Sequence, residues 1–152
     1  MAYVARHGDA FVQVLDEKAG TEVQAKGAEP YVGFLAVSTE GDHLAYEIVR
    51  GGSEYRAGRT SRARRHVVVD GREEAEYDAL DTRDFSFLAG GTRHHYIVVG
   101  AEGTRDRVVF QGLDTRLFDN VFRGSVDALD DQTIQFVAQD GMRLVKVTAT
   151  LK

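Results

Sequence analysis

An all-β fold is what this sequence predicts, and three observations predict it. Short runs rich in Val, Ile, Tyr and Phe recur along the chain, separated by turn signals such as TEGDH, VDGRE, LAGGT, GAEGT and AQDGM, while helical periodicity is scarce. Within HLAYEIVR, Leu44, Tyr46 and Ile48 alternate with Ala45, Glu47 and Val49, the period of two expected where the faces of a strand meet different surroundings. The stretch HVVVDGREEAEYDAL, residues 66–80, has a near copy in RVVFQGLDTRLFDNV, residues 107–121.

Laid over each other at a shift of 41 residues, the two copies put Val67 on Val108, Gly71 on Gly112, Tyr77 on Phe118 and Asp78 on Asp119. The segment GFLAVSTEGDHLAYEIVRGG precedes them with the same order of strand, Gly turn and aromatic strand. A period near 40 with four short strands per unit is the pattern of a β-propeller blade. In the blade order a, b, c, d the first unit has b, c and d near 2–7, 10–16 and 21–26. A complete unit follows near 31–39, 43–50, 64–70 and 75–80, and another near 84–89, 93–100, 105–111 and 116–121. The chain ends with a, b and c near 124–129, 133–138 and 142–150. Pro30, the only proline, sits between strands, where its missing N–H removes no ladder bond. A closed barrel of the calycin type is the alternative fold, since its strands alternate in the same way.

A family resemblance accompanies this pattern. VSTEGDHLAYEIVRGGSEYR resembles blades from the propeller domain of prolyl oligopeptidases, and VVVDGREEAEYDAL resembles the TolB-like WD-type repeat family. The resemblance implies a propeller fold across 1–152 and carries over no catalytic residue. The peptidase chemistry of the first family lies in a separate hydrolase domain, and this chain has no G-x-S-x-G elbow.

The chain has 152 residues, the size of about one domain. With 43 % hydrophobic residues and a net charge of -5, it falls on the globular side of composition. The absence of cysteine excludes disulfides and thiolate metal sites. No window approaches the 18 or so apolar residues of a membrane helix, and MAYVARHGDAFVQV is no secretory signal, so a cytoplasmic protein without membrane or cofactor is expected. Mild acidity argues against nucleic acid as a partner.

The most polar segment, RGGSEYRAGRTSRARRH, residues 50–66, is an extended b to c connection with arginines at 50, 56, 59, 62, 64 and 65 and one acid, Glu54. Arg forks suit phosphate or carboxylate. Arg56, Arg59 and Arg62 are therefore candidate ligand-binding residues, together with Asp81, Arg83 and Asp84 of DALDTRDF at a d to a connection. Plainer readings stand beside these: a solvated loop for the arginines, and an ordinary Asp turn for DTRD. His94 and His95 are adjacent on one strand and point to opposite faces, so they do not share a metal; one is expected to pack and the other to meet solvent. Asp78, which recurs as Asp119, is expected to be structural, capping a turn or tying adjacent blades.

The function these residues favour is a non-catalytic binding module that presents Arg-rich loops to an anionic small molecule, peptide or glycan. An enzyme using Asp81, Asp84, His95 or Arg62 as acid, base or anion clamp is the rival, and a purely structural propeller fragment is a third reading. The two partial blades predict a homodimer that closes one ring, with apolar seams including Phe11, Val14, Phe136, Leu144 and Val147.

Overall fold

A computed structural model describes residues 1–24, 30–51, 64–77, 81–88 and 91–151, with backbone alone over 81–83. Among the described residues there are strands and turns and no helix. The chain divides into two compact units, Met1–Asp78 and Ala79–Lys152.

In the first unit, β1 (Ala2–His7), β2 (Ala10–Leu15) and β3 (Lys18–Gln24) form an antiparallel meander. A second meander runs β4 (Tyr31–Val37), β5 (Leu44–Arg50), β6 (Arg64–Val69) and β7 (Arg72–Tyr77). The two sheets meet in one core, where Phe11 and Val23 of the first pack on Tyr46, Ile48 and Val68 of the second, flanked by Val4 and Val32. Each such buried side chain contributes about 1.5–3 kcal/mol.

In the second unit, β8 (Asp81–Phe87), β9 (His94–Glu102), β10 (Arg105–Phe110) and β11 (Leu113–Asp114) form the third sheet. The fourth holds β12 (Asn120–Val121), β13 (Asp127–Ala128), β14 (Thr133–Asp140) and β15 (Arg143–Thr150). Because β15 pairs with β14 over its whole length, β12 and β13 share the other edge, as one strand interrupted at 122–126. Ile97, Val108 and Phe110 of the third sheet pack against Ile134, Phe136 and Ala138 of the fourth.

Four open antiparallel sheets thus replace the alternative of one closed barrel. The 41-residue repeat holds at the turns. Asp70 and Gly71 both have positive φ, and so do Gln111 and Gly112, the mark of a two-residue type I′ hairpin. Asp16 and Glu17 form the same turn in the first sheet. Such tight turns start the return strand at once, which is why β3, β7 and β11 begin earlier than the sequence pattern placed them. The expected strand at 116–121 is not continuous: β11 ends at Asp114, Phe118 touches Asp106 in a single bridge, and Asn120–Val121 has already crossed to β14.

The first residue of each I′ turn also closes its sheet. The Asp70 N–H donates to the Leu44 carbonyl (2.9 Å), and the Leu44 N–H donates to Asp70 Oδ1 (3.0 Å). Gln111 and His94 repeat this exchange at 3.0 and 3.2 Å, as do Asp16 and Met1 at 2.8 and 2.6 Å. In the fourth sheet only the backbone half is present, Leu151 N–H to Gln132 carbonyl at 2.9 Å. The side chain supplies the acceptor that the turning backbone withholds from the start of the second strand.

The repeat fails at one place. The starts of β5 and β9, Leu44 and His94, lie 50 residues apart rather than 41, because the β5–β6 connection, 51–63, stands where the third sheet has only 101–104. In the other three sheets the equivalent hairpin is a two-residue turn opened by Gly8, Gly103 or Gly141, each at positive φ.

Candidate functional site

The ends of β5 and β6 carry a charged group that sequence periodicity does not disclose. Arg50 and Arg64 form the last pair of the β5–β6 ladder, at the two ends of the 51–63 connection. Arg50 donates to Glu73 (3.1 Å) and to the Gln24 carbonyl of the first sheet. Arg64 donates to Glu76 Oε1 at 2.5 Å. Between them lies buried His66, with Nε2 at 2.7 Å from Glu76 and 2.9 Å from Arg50, and Nδ1 at 3.3 Å from Glu73. Glu73 and Glu76 are three residues apart, so an undisturbed strand would send them to opposite faces. A register shift between His66 and Val68 moves both to the His66 side. Neighbouring Tyr46 is buried, its hydroxyl has no hydrogen-bond partner among the described residues, and burial reinforced by Glu73 pushes its pKa up to about 12.

On the opposite face of the same strands, Arg65 meets Glu47 at 2.7 Å, with both side chains largely removed from water. Of the six arginines in 50–65, Arg50, Arg64 and Arg65 therefore have structural partners. Arg56, Arg59 and Arg62 lie outside the described residues.

The second candidate group lies on β8. Asp81 and Arg83 pair through their backbones with Val99 and Ile97, and their side chains lie outside the description. Asp84 sits in a bulge with φ of 52° and accepts the Gly124 N–H at 2.7 Å, so it ties the third sheet to the fourth. His95 is only 6 % exposed, and its Nδ1 has no partner among the described residues. Burial, with His94 adding and Asp84 opposing, pushes its pKa down to about 4. His94 is 2 % exposed and lies among Phe85, Phe87 and Tyr96. The expectation that one of the two histidines meets solvent is thus corrected: β9 is an inner strand whose both faces are buried. A proton shuttle to substrate at His95 does not fit this burial.

Asp78, expected to be structural, lies outside the described residues, and its counterpart in the repeat is Asp119. Its carboxylate accepts the Gly141 N–H of the β14–β15 turn, and its own N–H donates to Gln139. Asp106, which the sequence did not single out, is 4 % exposed and accepts from Gly100 (3.1 Å) and Val121 (3.0 Å). No composition signal marks it, because its partners are backbone groups.

An open groove of about 450 Å³ in the first unit lies between Gln13, Lys18 and Gly20 on one side and Glu40 and Asp42 on the other. Two of its acids are engaged, Asp16 by the Met1 ammonium and Asp42 by the Ser38 hydroxyl at 2.9 Å. Among the described residues no group of three or more His, Asp or Glu is arranged to hold a metal ion.

Comparison with protein-family models, with curated proteins and with solved structures returns no match to this chain.

Proposed function

We propose that this chain is a non-catalytic binding module built from propeller-type blades, with the β5–β6 connection as its ligand-facing element and an anionic small molecule, peptide or glycan as its partner. The observation that carries the proposal is the length of one hairpin. The same hairpin is a two-residue turn in three sheets, so the fold does not require 51–63. Extra loop on a rigid scaffold is where binding residues concentrate.

Charge supports the same reading. The nearby acids Glu47, Glu73 and Glu76 are already paired with Arg65, Arg50 and Arg64. Arg56, Arg59 and Arg62 add three cations to this segment, and guanidinium forks match phosphate and carboxylate. Asp81, Arg83 and Asp84 are a weaker part of the site, because Asp84 already holds Gly124.

The test is a thermal-shift screen of phosphorylated and carboxylated compounds against the native chain and an Arg59→Ala/Arg62→Ala variant. The expected outcome is a ligand-induced rise in Tm for the native chain that the double variant loses. A screen with no shift in either protein rejects the anion site.

A further inference from the structure

We propose that the Tyr3 face of the first sheet is covered by the outer face of the fourth sheet of a second copy of this chain. The proposal rests on the propeller-type reading above and names the surfaces that would complete it.

The internal repeat identifies the occupant. Met1, Leu44 and His94 hold the same closing position in three sheets, and two residues further on stand Tyr3, Tyr46 and Tyr96. Tyr46 and Tyr96 have no exposure, whereas Tyr3 is 45 % exposed. Within the first unit, the Tyr46 face of the second sheet is covered by Val4, Phe11 and Val23 of the preceding sheet. Within the second unit, the corresponding face of the fourth sheet is covered by Ile97, Val108 and Phe110 of the preceding one. A face of the Tyr3 type therefore packs against the opposite face of another sheet, twice in this chain.

By the same register, that opposite face on the fourth sheet comprises Gln135 and Val137 on β14 and Leu144, Lys146 and Thr148 on β15. It is open: Leu144 is 71 % exposed, and Lys146 and Thr148 are exposed. Its chemistry suits a half-polar partner. Leu144, Val137 and the Thr148 methyl offer apolar contact to Tyr3, and the threonine and glutamine groups offer partners to its hydroxyl. Its charges are mixed, Lys146 on β15 and exposed Asp127 opposite Gln135 on β13, and Lys146 is opposite in sign to Glu22 on the Tyr3 side, which His7 holds at 3.3 Å. The apolar seams expected from sequence are revised accordingly: Phe11 and Phe136 are buried in the chain's own cores, Val147 packs beside Phe136, and Val14, opposite Tyr3, is already buried, leaving Leu144 as the outward residue. In the proposed dimer the contact forms twice, the Tyr3 face of each copy on the fourth sheet of the other.

Size exclusion with light scattering tests this on the native chain and on Tyr3→Lys and Leu144→Lys, both exposed positions. The expected masses are twice 16.8 kDa for the native chain and 16.8 kDa for each variant. Mixing the two variants should restore dimer in part, since one seam then joins an unaltered Tyr3 face to an unaltered fourth sheet. If circular dichroism shows that either lysine variant is unfolded, Lys146→Glu, which faces Glu22 with like charge, takes its place with the same expected monomer mass. A native chain that is monomeric across micromolar concentrations overturns the proposal. So does dissociation by Tyr3→Lys alone, which would put two first sheets against each other. A monomer that still shows the anion-induced rise in Tm sinks the seam and leaves the binding reading standing.

Discussion

Arg65 and Glu47 face each other across β5 and β6 at 2.7 Å, and their side chains keep 15 % and 3 % of their exposure. Gly33 makes room for this pair, since a Cβ there would come within 2.1 Å of Glu47 Oε2. Removing Arg65 takes from buried Glu47 its ion-pair partner at 2.7 Å, so Arg65→Met should be destabilising, by up to about 3–5 kcal/mol. The double variant Arg65→Met/Glu47→Leu should recover most of that loss. Urea midpoints of the three proteins decide it, and equal midpoints for the native chain and Arg65→Met would show that the pair is not insulated from water.

The turn exchange between Asp70 and Leu44 predicts a graded series. Asp70→Asn keeps a side-chain acceptor and tolerates the φ of 49°, so it should cost less than 1 kcal/mol or so. Asp70→Ala leaves the Leu44 N–H without its acceptor and strains the turn, for about 1–3 kcal/mol. Gly71→Ala should rank with it, because φ is 78° and the added Cβ would lie 2.8 Å from the Thr21 Cβ. Thermal melts of the three variants should preserve this order.

Asp106 binds two backbone donors with a carboxylate that is 4 % exposed. Hydrogen bonds to a buried charge are worth about 1.5–3 kcal/mol each. Asp106→Ala should therefore be among the most damaging single changes in the second unit, and Asp106→Asn intermediate. Hydrogen exchange at Gly100 and Val121 reads the effect at the two amides concerned.

Two histidines bend the pH profile in opposite directions. The His95 pKa is lowered from 6.5 to about 4, so the unfolded chain binds the proton first. The stability held by neutral His95 is complete above 6.5 and is lost as pH falls towards 4, about 3 kcal/mol over the whole window. His43, 2.7 Å from Asp70, has its pKa raised by that hydrogen bond. Its contribution is complete below 6.5 and is lost as pH rises through the folded value. Unfolding free energy against pH for His95→Leu should be flatter between 6.5 and 4 than for the native chain, and His43→Gln flatter above 6.5. A His95→Leu profile identical to the native one would show that the imidazole is hydrated.

The sheets were legible in the sequence because their signals are local. Alternation in β5, the Asp70-Gly71 and Gln111-Gly112 turns, and the spacing of Val67 and Val108 all depend on neighbours a few residues away. The charged group at His66 was hidden for the converse reason. It depends on a register shift that changes which face Glu73 and Glu76 occupy, and a shift of pairing leaves no mark on composition. Likewise Asp106 and Asp84 earn their places by binding backbone N–H groups, which any residue could supply. The arginines of 50–65 looked alike in sequence, yet Arg50, Arg64 and Arg65 are set apart by their strand positions.

The tight turns have a kinetic consequence. With β1–β2, β2–β3, β6–β7, β9–β10, β10–β11 and β14–β15 each joined by two residues, most strand pairs bring together residues already close along the chain. Closing such short loops loses little chain entropy, so the hairpins form early and the search is short for an all-β protein. The β5–β6 hairpin closes the longest of these loops, 51–63, and so loses the most chain entropy among the hairpins.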